Sequence, residues 1–281
     1  DSRCTPAYLK YADIYKLANA GLAIEKLNQL KTLEPSNTAI DKKLAEIYYL
    51  KNDFSKAADA YSRFAMGPKA NEEDLVRYAF ALFLNHDFAK SLEVANMGLK
   101  KNPRHAAFNR LAMYNNTDLK RFEEALKAAD VFFNECDKAD YSYLDYMYYG
   151  HLLEELKKYD EAVGQYEKAV ELDPTKTDLY KNISSVYEQK NDYKKAIGAY
   201  HKYYSSLEKE KQTPDLQFQL GRLYYGAGTQ PDSLTINVEE RKQALMSADS
   251  VFQVISEAAP DSYLGNFWRA RANSALDPET T

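Results

Sequence analysis

Glycine and proline are scarce in this chain, 10 and 9 of 281 residues. An all-β fold needs many Gly- and Pro-bearing turns, so their scarcity argues for long helices with short connections. Cysteine is rarer still, with Cys4 and Cys136 alone. A disulfide needs Cα atoms within about 7 Å, and residues so far apart in a helical array are tens of Å from each other at about 10 Å per packed helix. Two free thiols are expected. No apolar run approaches the roughly 18 residues of a membrane-spanning helix. Basic excess is also missing: the formal net charge is −5, with both signs mixed along the chain. Without a basic stripe, neither nucleic acid nor an anionic membrane surface is an expected partner. The sequence starts at Asp1 close to its first helical pattern, which would suit a chain trimmed after export to a periplasm or cell envelope; a cytoplasmic location is the alternative.

What the chain has in quantity is tyrosine, 24 residues against 12 phenylalanines. Tyrosine packs its ring while keeping a polar tip, which suits thin helical layers near water. It also has a repeat. Asn52-Asp53-Phe54-Ser55-Lys56-Ala57, Asn85-His86-Asp87-Phe88-Ala89-Lys90-Ser91 and Leu119-Lys120-Arg121-Phe122-Glu123-Glu124-Ala125 align at a spacing of 34 residues, with Phe54, Phe88 and Phe122 in register. After a three-residue insertion the series resumes at Lys158-Tyr159-Asp160-Glu161-Ala162 and returns 34 later at Asp192-Tyr193-Lys194-Lys195-Ala196. Downstream of each, a small residue is followed by apolar ones at helical offsets, as in Ala57/Tyr61/Phe64, Ala162/Tyr166/Ala169 and Ala196/Tyr200/Tyr203. Upstream lies a second helix of the same design: Leu44/Ala45/Tyr48, Tyr78/Ala79/Leu82, Tyr149/Gly150/Leu153 and Ile183/Ser184/Tyr187. Small members let paired helices approach, and Pro35, Pro103, Pro174 and Pro260 close the units.

This pattern resembles the tetratricopeptide repeat (TPR) family, whose unit is a helix–turn–helix of about 34 residues. The stretch from Tyr143 to Pro174 matches most fully, with Tyr146, Tyr149-Gly150, Leu153, Tyr159, Ala162, Tyr166, Ala169 and Pro174 at signature positions. The resemblance implies an all-α, right-handed α-solenoid (superhelix) of about seven hairpins plus a C-terminal helix, spanning 1–281 as a single array. The hairpins are expected at about 5–37, 38–71, 72–104, 105–142, 143–176, 177–213 and 214–262. The last should carry an insertion, with Gly226-Ala227-Gly228 in a loop and an extension of the second helix through Glu239-Glu240-Arg241. Residues 263–277 read as one further helix with Phe267 and Ala270 in its pattern. It is either a cap whose polar face is Arg269, Arg271 and Asn273, or the first helix of a further repeat.

No catalytic or cofactor-binding constellation is present. His86, His105, His151 and His201 lie in different repeats without a chelating partner, and His151-Leu152-Leu153-Glu154-Glu155 lacks the second histidine of a zinc hydrolase helix. Gly226-Ala227-Gly228 lacks the Lys-Ser/Thr of a phosphate loop. Asn115-Asn116-Thr117 and Asn182-Ile183-Ser184 match a glycosylation sequon but fall on helices. The chain is therefore not expected to be an enzyme or to need a cofactor or metal.

The family resemblance implies a protein- or peptide-binding scaffold whose first helices line a concave groove. Projected from the register, that groove would hold Lys42, Glu46 and Tyr49; Arg77, Phe80 and Phe83; Asn109 and Met113; Met147, Tyr148 and His151; Lys181 and Ser185; and Phe218, Arg222 and Tyr225. The family's carboxylate-gripping set of lysines and asparagines is not reproduced, since Glu46 stands one turn after Lys42. Exposed aromatic and methionine side chains mark interaction surfaces, so a site centred on Phe80, Phe83, Met147 and Tyr148 is expected unless those side chains pack between helices. The partner is a protein or peptide, and the chain itself a monomer or weak homodimer. The alternative is a homo-oligomerisation or envelope-assembly module acting through its end repeats.

Overall fold

A computed structural model describes residues 4–136, 140–231 and 237–277, and no strand occurs among them. Helices α1 (Thr5–Ala18) and α2 (Ala20–Leu33) form the first hairpin. The next three are α3 (Thr38–Leu50) with α4 (Phe54–Ala65), α5 (Glu72–Leu84) with α6 (Phe88–Lys101), and α7 (Ala106–Asp118) with α8 (Phe122–Asp130), which runs into a π-helical turn, Val131–Glu135. Then come α9 (Tyr143–Glu155) with α10 (Tyr159–Leu172), α11 (Leu179–Gln189) with α12 (Tyr193–Ser206), and α13 (Pro214–Gly228) with α14 (Val238–Ala258); α15 (Tyr263–Leu276) follows. The chain divides into two compact units, Asp1–Asp140 and Tyr141–Thr281. Within each unit, helices pack on their neighbours in sequence, and in the first unit α1 also meets α3 and α5 meets α7.

Small side chains set the crossings. Ala57, Ala125, Ala162 and Ala196 on the second helices are fully buried, as are Ala45 and Ala79 on the first. A Cβ added at Gly150 would lie 2.8 Å from the Tyr166 ring, and one at Gly221 2.6 Å from the Phe252 ring. Two hairpins carry serine at the crossing instead and use its hydroxyl as a cross-link. Ser91 Oγ donates to the Ala79 carbonyl and Ser184 Oγ to the Ala196 carbonyl, each at 2.8 Å. Beside the crossings stand Tyr61, Tyr166 and Tyr200, buried at the ring and tipped with hydroxyls. Tyr166 donates to Glu154 Oε2 at 2.9 Å and Tyr200 to the Leu216 carbonyl at 3.0 Å. Burial, the larger influence on both, drives their phenol pKa values well above the ordinary tyrosine range.

The turns between paired helices are built alike. Asn52, His86, Lys120, Lys157 and Asn191 all adopt φ between 58° and 60°, each one residue ahead of the N-cap of the next helix. In the first of them the Asp53 N–H donates back to the Tyr48 carbonyl and the Asn52 N–H to that of Tyr49, a Schellman closure. Asp53, Asp87 and Asp192 then cap the second helix by accepting from the amides of Lys56, Lys90 and Lys195. No glycine occupies these five positive-φ sites, so each side chain there carries left-handed strain.

Buried aspartates anchor the entries of several first helices. Asp41 takes Lys31 Nζ at 2.5 Å and Arg63 Nε at 2.8 Å, tying α2, α3 and α4 together. Asp74 and Asp145 form capping boxes with Asn71 and Ser142, and Asp74 also takes Lys42 Nζ at 2.7 Å.

The last hairpin differs from the expectation in two places. Gly226, Ala227 and Gly228 are helical, the final turn of α13, and not a loop. They are small because Tyr193 and Leu245 press on them: an added Cβ would come within 2.3 Å of Tyr193 at Gly226 and of Leu245 at Gly228. Residues 232–236 of the expected insertion lie outside the described residues. In α15 the packing face is not that of Phe267 and Ala270, which are exposed. Trp268 takes that role, within 5.3–5.7 Å of Tyr225, Phe252 and Phe218, with Gly265 and Ala272 buried beside it. Arg269 and Asn273 do not simply face water either; both bind Asp249 Oδ1 of α14, at 2.9 and 3.0 Å.

Two stability outcomes follow from this packing. Ala162→Leu should overfill the α9/α10 crossing and lower unfolding free energy by about 1–3 kcal/mol in a urea titration; a neutral result would contradict the packing described. Lys157→Gly should relieve left-handed strain and raise stability by about 0.5–1 kcal/mol, seen as a higher urea midpoint, whereas a lower midpoint would show that the turn is not strained.

Candidate groove of the first unit

Of the groove residues expected from the register, Glu46, Tyr49, Arg77 and Phe80 are brought together. They line one hollow of about 500 Å³ with Lys16, Leu17, Leu50 and Tyr61. Helices α1, α3 and α5 supply the walls, and Tyr61 of α4 reaches between them. Leu17 is 80 % exposed and Leu50 51 % exposed, two apolar side chains held at the mouth by the last turns of α1 and α3. They follow Ala12 and Ala45 at the same offset, so the register contained them; the projection stopped one position short on α3.

The polar groups of the groove are already engaged. Arg77 pairs with Glu73 Oε1 at 2.6 Å and lies 3.8 Å from Glu46 Oε1. Burial pushes the Tyr61 phenol up to about 12 against the opposing pull of Arg77. Lys43 bridges Asp13 at 2.8 Å and Glu46 at 3.1 Å. Lys42 is committed to buried Asp74 and stands 5.0 Å over the Phe64 ring. A neutral, ion-paired floor under apolar walls favours insertion of an apolar side chain over capture of a lone carboxylate, because a carboxylate would have to displace existing partners.

The other expected residues lie elsewhere. Phe83 is buried against Phe88 and Tyr114 at 5.7 and 5.5 Å, so it supports the groove from behind and does not line it. Met113 has no exposed surface. Asn109 is also buried, on a different face of the unit: its Nδ2 donates to the carbonyls of Pro103 and His105. The offsets that face the groove in α3 and α5 turn inward in α7, a helix buried along nearly its whole length, with Asn115, Asn116 and Thr117 in its interior. That burial also removes the Asn115 sequon from use.

In the second unit Met147 is half-buried and packs on the α10/α11 core, Tyr148 is half-buried, and His151 is exposed on α9. Phe218 and Tyr225 pack around Trp268 and are not groove residues. Arg222 is exposed, 3.7 Å from Glu188 Oε1 and 3.4 Å from Gln219 Oε1. This unit has its own hollow of about 380 Å³, lined by Lys181, Ser184, Ser185, Glu188, Tyr200, Asp215, Leu216 and Gln219. It is polar where the first is apolar.

Among the described residues no cluster of His, Cys, Asp or Glu has the makings of a metal site, and no helix is long and apolar enough to cross a membrane. Cys4 and Cys136 are free thiols, the first exposed and the second half-buried.

Comparison with known proteins agrees with this architecture. The tetratricopeptide repeat family matches residues 144–176. No curated protein matches the sequence. Among solved structures, the C-terminal part of a TPR repeat-containing protein from Cytophaga hutchinsonii is 28 % identical over 73 % of either chain, with a TM-score of 0.56. A tetratricopeptide repeat protein from Parabacteroides merdae is 16 % identical, covers 95 % of this chain and 98 % of its own, and has a TM-score of 0.60. MamA from Desulfovibrio magneticus, 18 % identical over 63 % of this chain and 97 % of its own, has a TM-score of 0.54. These last two likenesses are of fold alone. The consecutive hairpins and their small-residue crossings are those of the tetratricopeptide fold, and the segment 144–176 within them matches the tetratricopeptide repeat family.

Proposed function

We propose that the chain is a non-catalytic scaffold that holds a peptide segment of another protein in the groove of α1, α3 and α5. The tetratricopeptide fold supports protein interaction in general. The observation that supports this particular place is the hollow in which Leu17, Tyr49, Leu50 and Phe80 stand around the Arg77–Glu46–Glu73 cluster. Isolated exposed leucines are ordinary on a protein surface; two at the mouth of one aromatic-walled hollow form a socket. Burying one Leu- or Phe-sized side chain there is worth roughly 1.5–3 kcal/mol, enough for an anchor residue to dominate a weak peptide contact. The chemistry favours a peptide with an aromatic or branched apolar anchor flanked by polar residues that fit the mixed charges of Lys16, Glu46 and Arg77.

A random-peptide phage library panned on the full chain should yield sequences with such an anchor. Tyr49→Ser with Phe80→Ser should weaken the selected peptide at least about ten-fold, a loss of 1.4 kcal/mol, by isothermal titration. Leu17→Ser should also weaken it and, at a site so exposed, leave the melting temperature in place. Unchanged affinity in both variants would overturn the reading.

A further inference from the structure

The last hairpin of the second unit departs from the repeat at its second helix. Ala23, Ala57, Ser91, Ala125, Ala162 and Ala196 are each the fourth residue of their helix, and each is fully buried. Ala248 is just as buried, but it is the eleventh residue of α14. Helix α14 therefore carries seven extra residues, about two turns, ahead of its small buried residue. Hairpin packing does not call for them, since the other six second helices start without them.

The added turns make one wall of a hollow of about 280 Å³. Gln243 and Ala244 line it from the extension, Lys194 and Ile197 from α12, and Tyr224 and Ala227 from α13. The two alanines leave the room, and Ile197 and the Tyr224 ring make the lining apolar. Charge at the rim is balanced, with Lys194 Nζ 3.6 Å from Glu240 Oε1. Tyr224 supplies a polar end. Its hydroxyl meets His201 Nε2 at 2.8 Å, on the face of α12 that Lys194 and Ile197 share. Burial holds the Tyr224 phenol above the ordinary tyrosine range, so it stays protonated. In either tautomer of His201 the hydroxyl keeps one function free: a lone pair when it donates to the imidazole, its proton when it accepts.

We propose that this hollow binds a small, uncharged aromatic alcohol, with the ring among Ile197, Ala227 and Ala244 and the ligand hydroxyl on Tyr224. Size, charge and hydrogen bonding each select that class. The volume lies just below the roughly 300–1,000 Å³ of sites for drug-sized molecules, so the ligand is smaller, of one or two rings. The paired rim offers nothing to a net charge. A ligand hydroxyl both donates and accepts, and so satisfies Tyr224 in either state. The site lies in the second unit and is independent of the α1/α3/α5 groove.

The test titrates 4-ethylphenol into the full chain and follows the backbone amides by nitrogen–proton correlation spectra. Shifts should be confined to α12, α13 and α14, with a Kd below about 1 mM. Ethylbenzene, which lacks the hydroxyl, should bind at least about five-fold more weakly, and Tyr224→Phe should erase that difference. Ala244→Leu fills the hollow; it should weaken 4-ethylphenol at least about ten-fold without lowering the melting temperature. Should Ala244→Leu fail to fold, the ethylbenzene comparison and Tyr224→Phe decide. N-acetyltyrosinamide, the same phenol on a peptide backbone, should bind at least about ten-fold more weakly; equal binding would point to a protein-borne phenol and overturn the assignment to a free ligand. No binding up to 1 mM, shifts spread over other helices, or affinity indifferent to the ligand hydroxyl or to Ala244→Leu would also overturn it.

Discussion

Everything in this molecule depends on the close approach of two helices at one small side chain. Where Ala45 faces Ala57's helix, Ala79 faces Ser91, Ser184 faces Ala196 and Gly150 meets the Tyr166 ring, backbones come near enough for aromatic rings to fill the flanks. Each hairpin then presents two apolar edges, and stacking the next hairpin covers one of them. A fold assembled this way has no single core to outgrow, so a long chain needs few glycines and prolines and no disulfide.

The same geometry makes recognition surfaces as a by-product. First helices side by side leave one row of troughs, and second helices leave another. What differs from trough to trough is the side chains that are not needed for the crossing. In the first unit the α1/α3/α5 trough carries leucine, tyrosine and phenylalanine over paired charges. The hollow between α6 and α8 is lined by Asn109 and Asn116 beside Arg121 and Lys127, and the polar hollow of the second unit carries Lys181, Ser185 and Asp215. One scaffold thus offers chemically distinct surfaces without any change in backbone.

Much of the fold was legible because the crossings and turns recur at a fixed interval. The segments around Phe54, Phe88, Phe122, Tyr159 and Tyr193 that reveal the repeat are the turns where Asn52, His86, Lys120, Lys157 and Asn191 take positive φ. Alanines 57, 162 and 196 are buried as their spacing requires. The site was legible only in part. Tyr49, Arg77 and Phe80 follow the register, but Phe83, Asn109 and Met113 do not, because an offset tells which way a side chain leaves its helix and not what covers it. Burial of α7 depends on neighbouring elements that periodicity does not describe. Gly226-Ala227-Gly228 misled for a related reason: glycine there answers to the pressure of Tyr193 and Leu245, distant in sequence, and not to a turn. The buried aspartates at 41, 74 and 145 are not legible in the sequence, because an acid near a helix start is also a common surface feature.

If the hairpin crossings hold the first helices in place, the α1/α3/α5 groove is formed before any ligand arrives. Hydrogen exchange of the unliganded chain tests it most directly, because α3 and α5 wall the groove while α4 and α6 are their hairpin partners. Amides in the middle of α3 and α5 should be protected as strongly as those of α4 and α6. Rapid exchange in α3 and α5 beside slow exchange in α4 and α6 would contradict it.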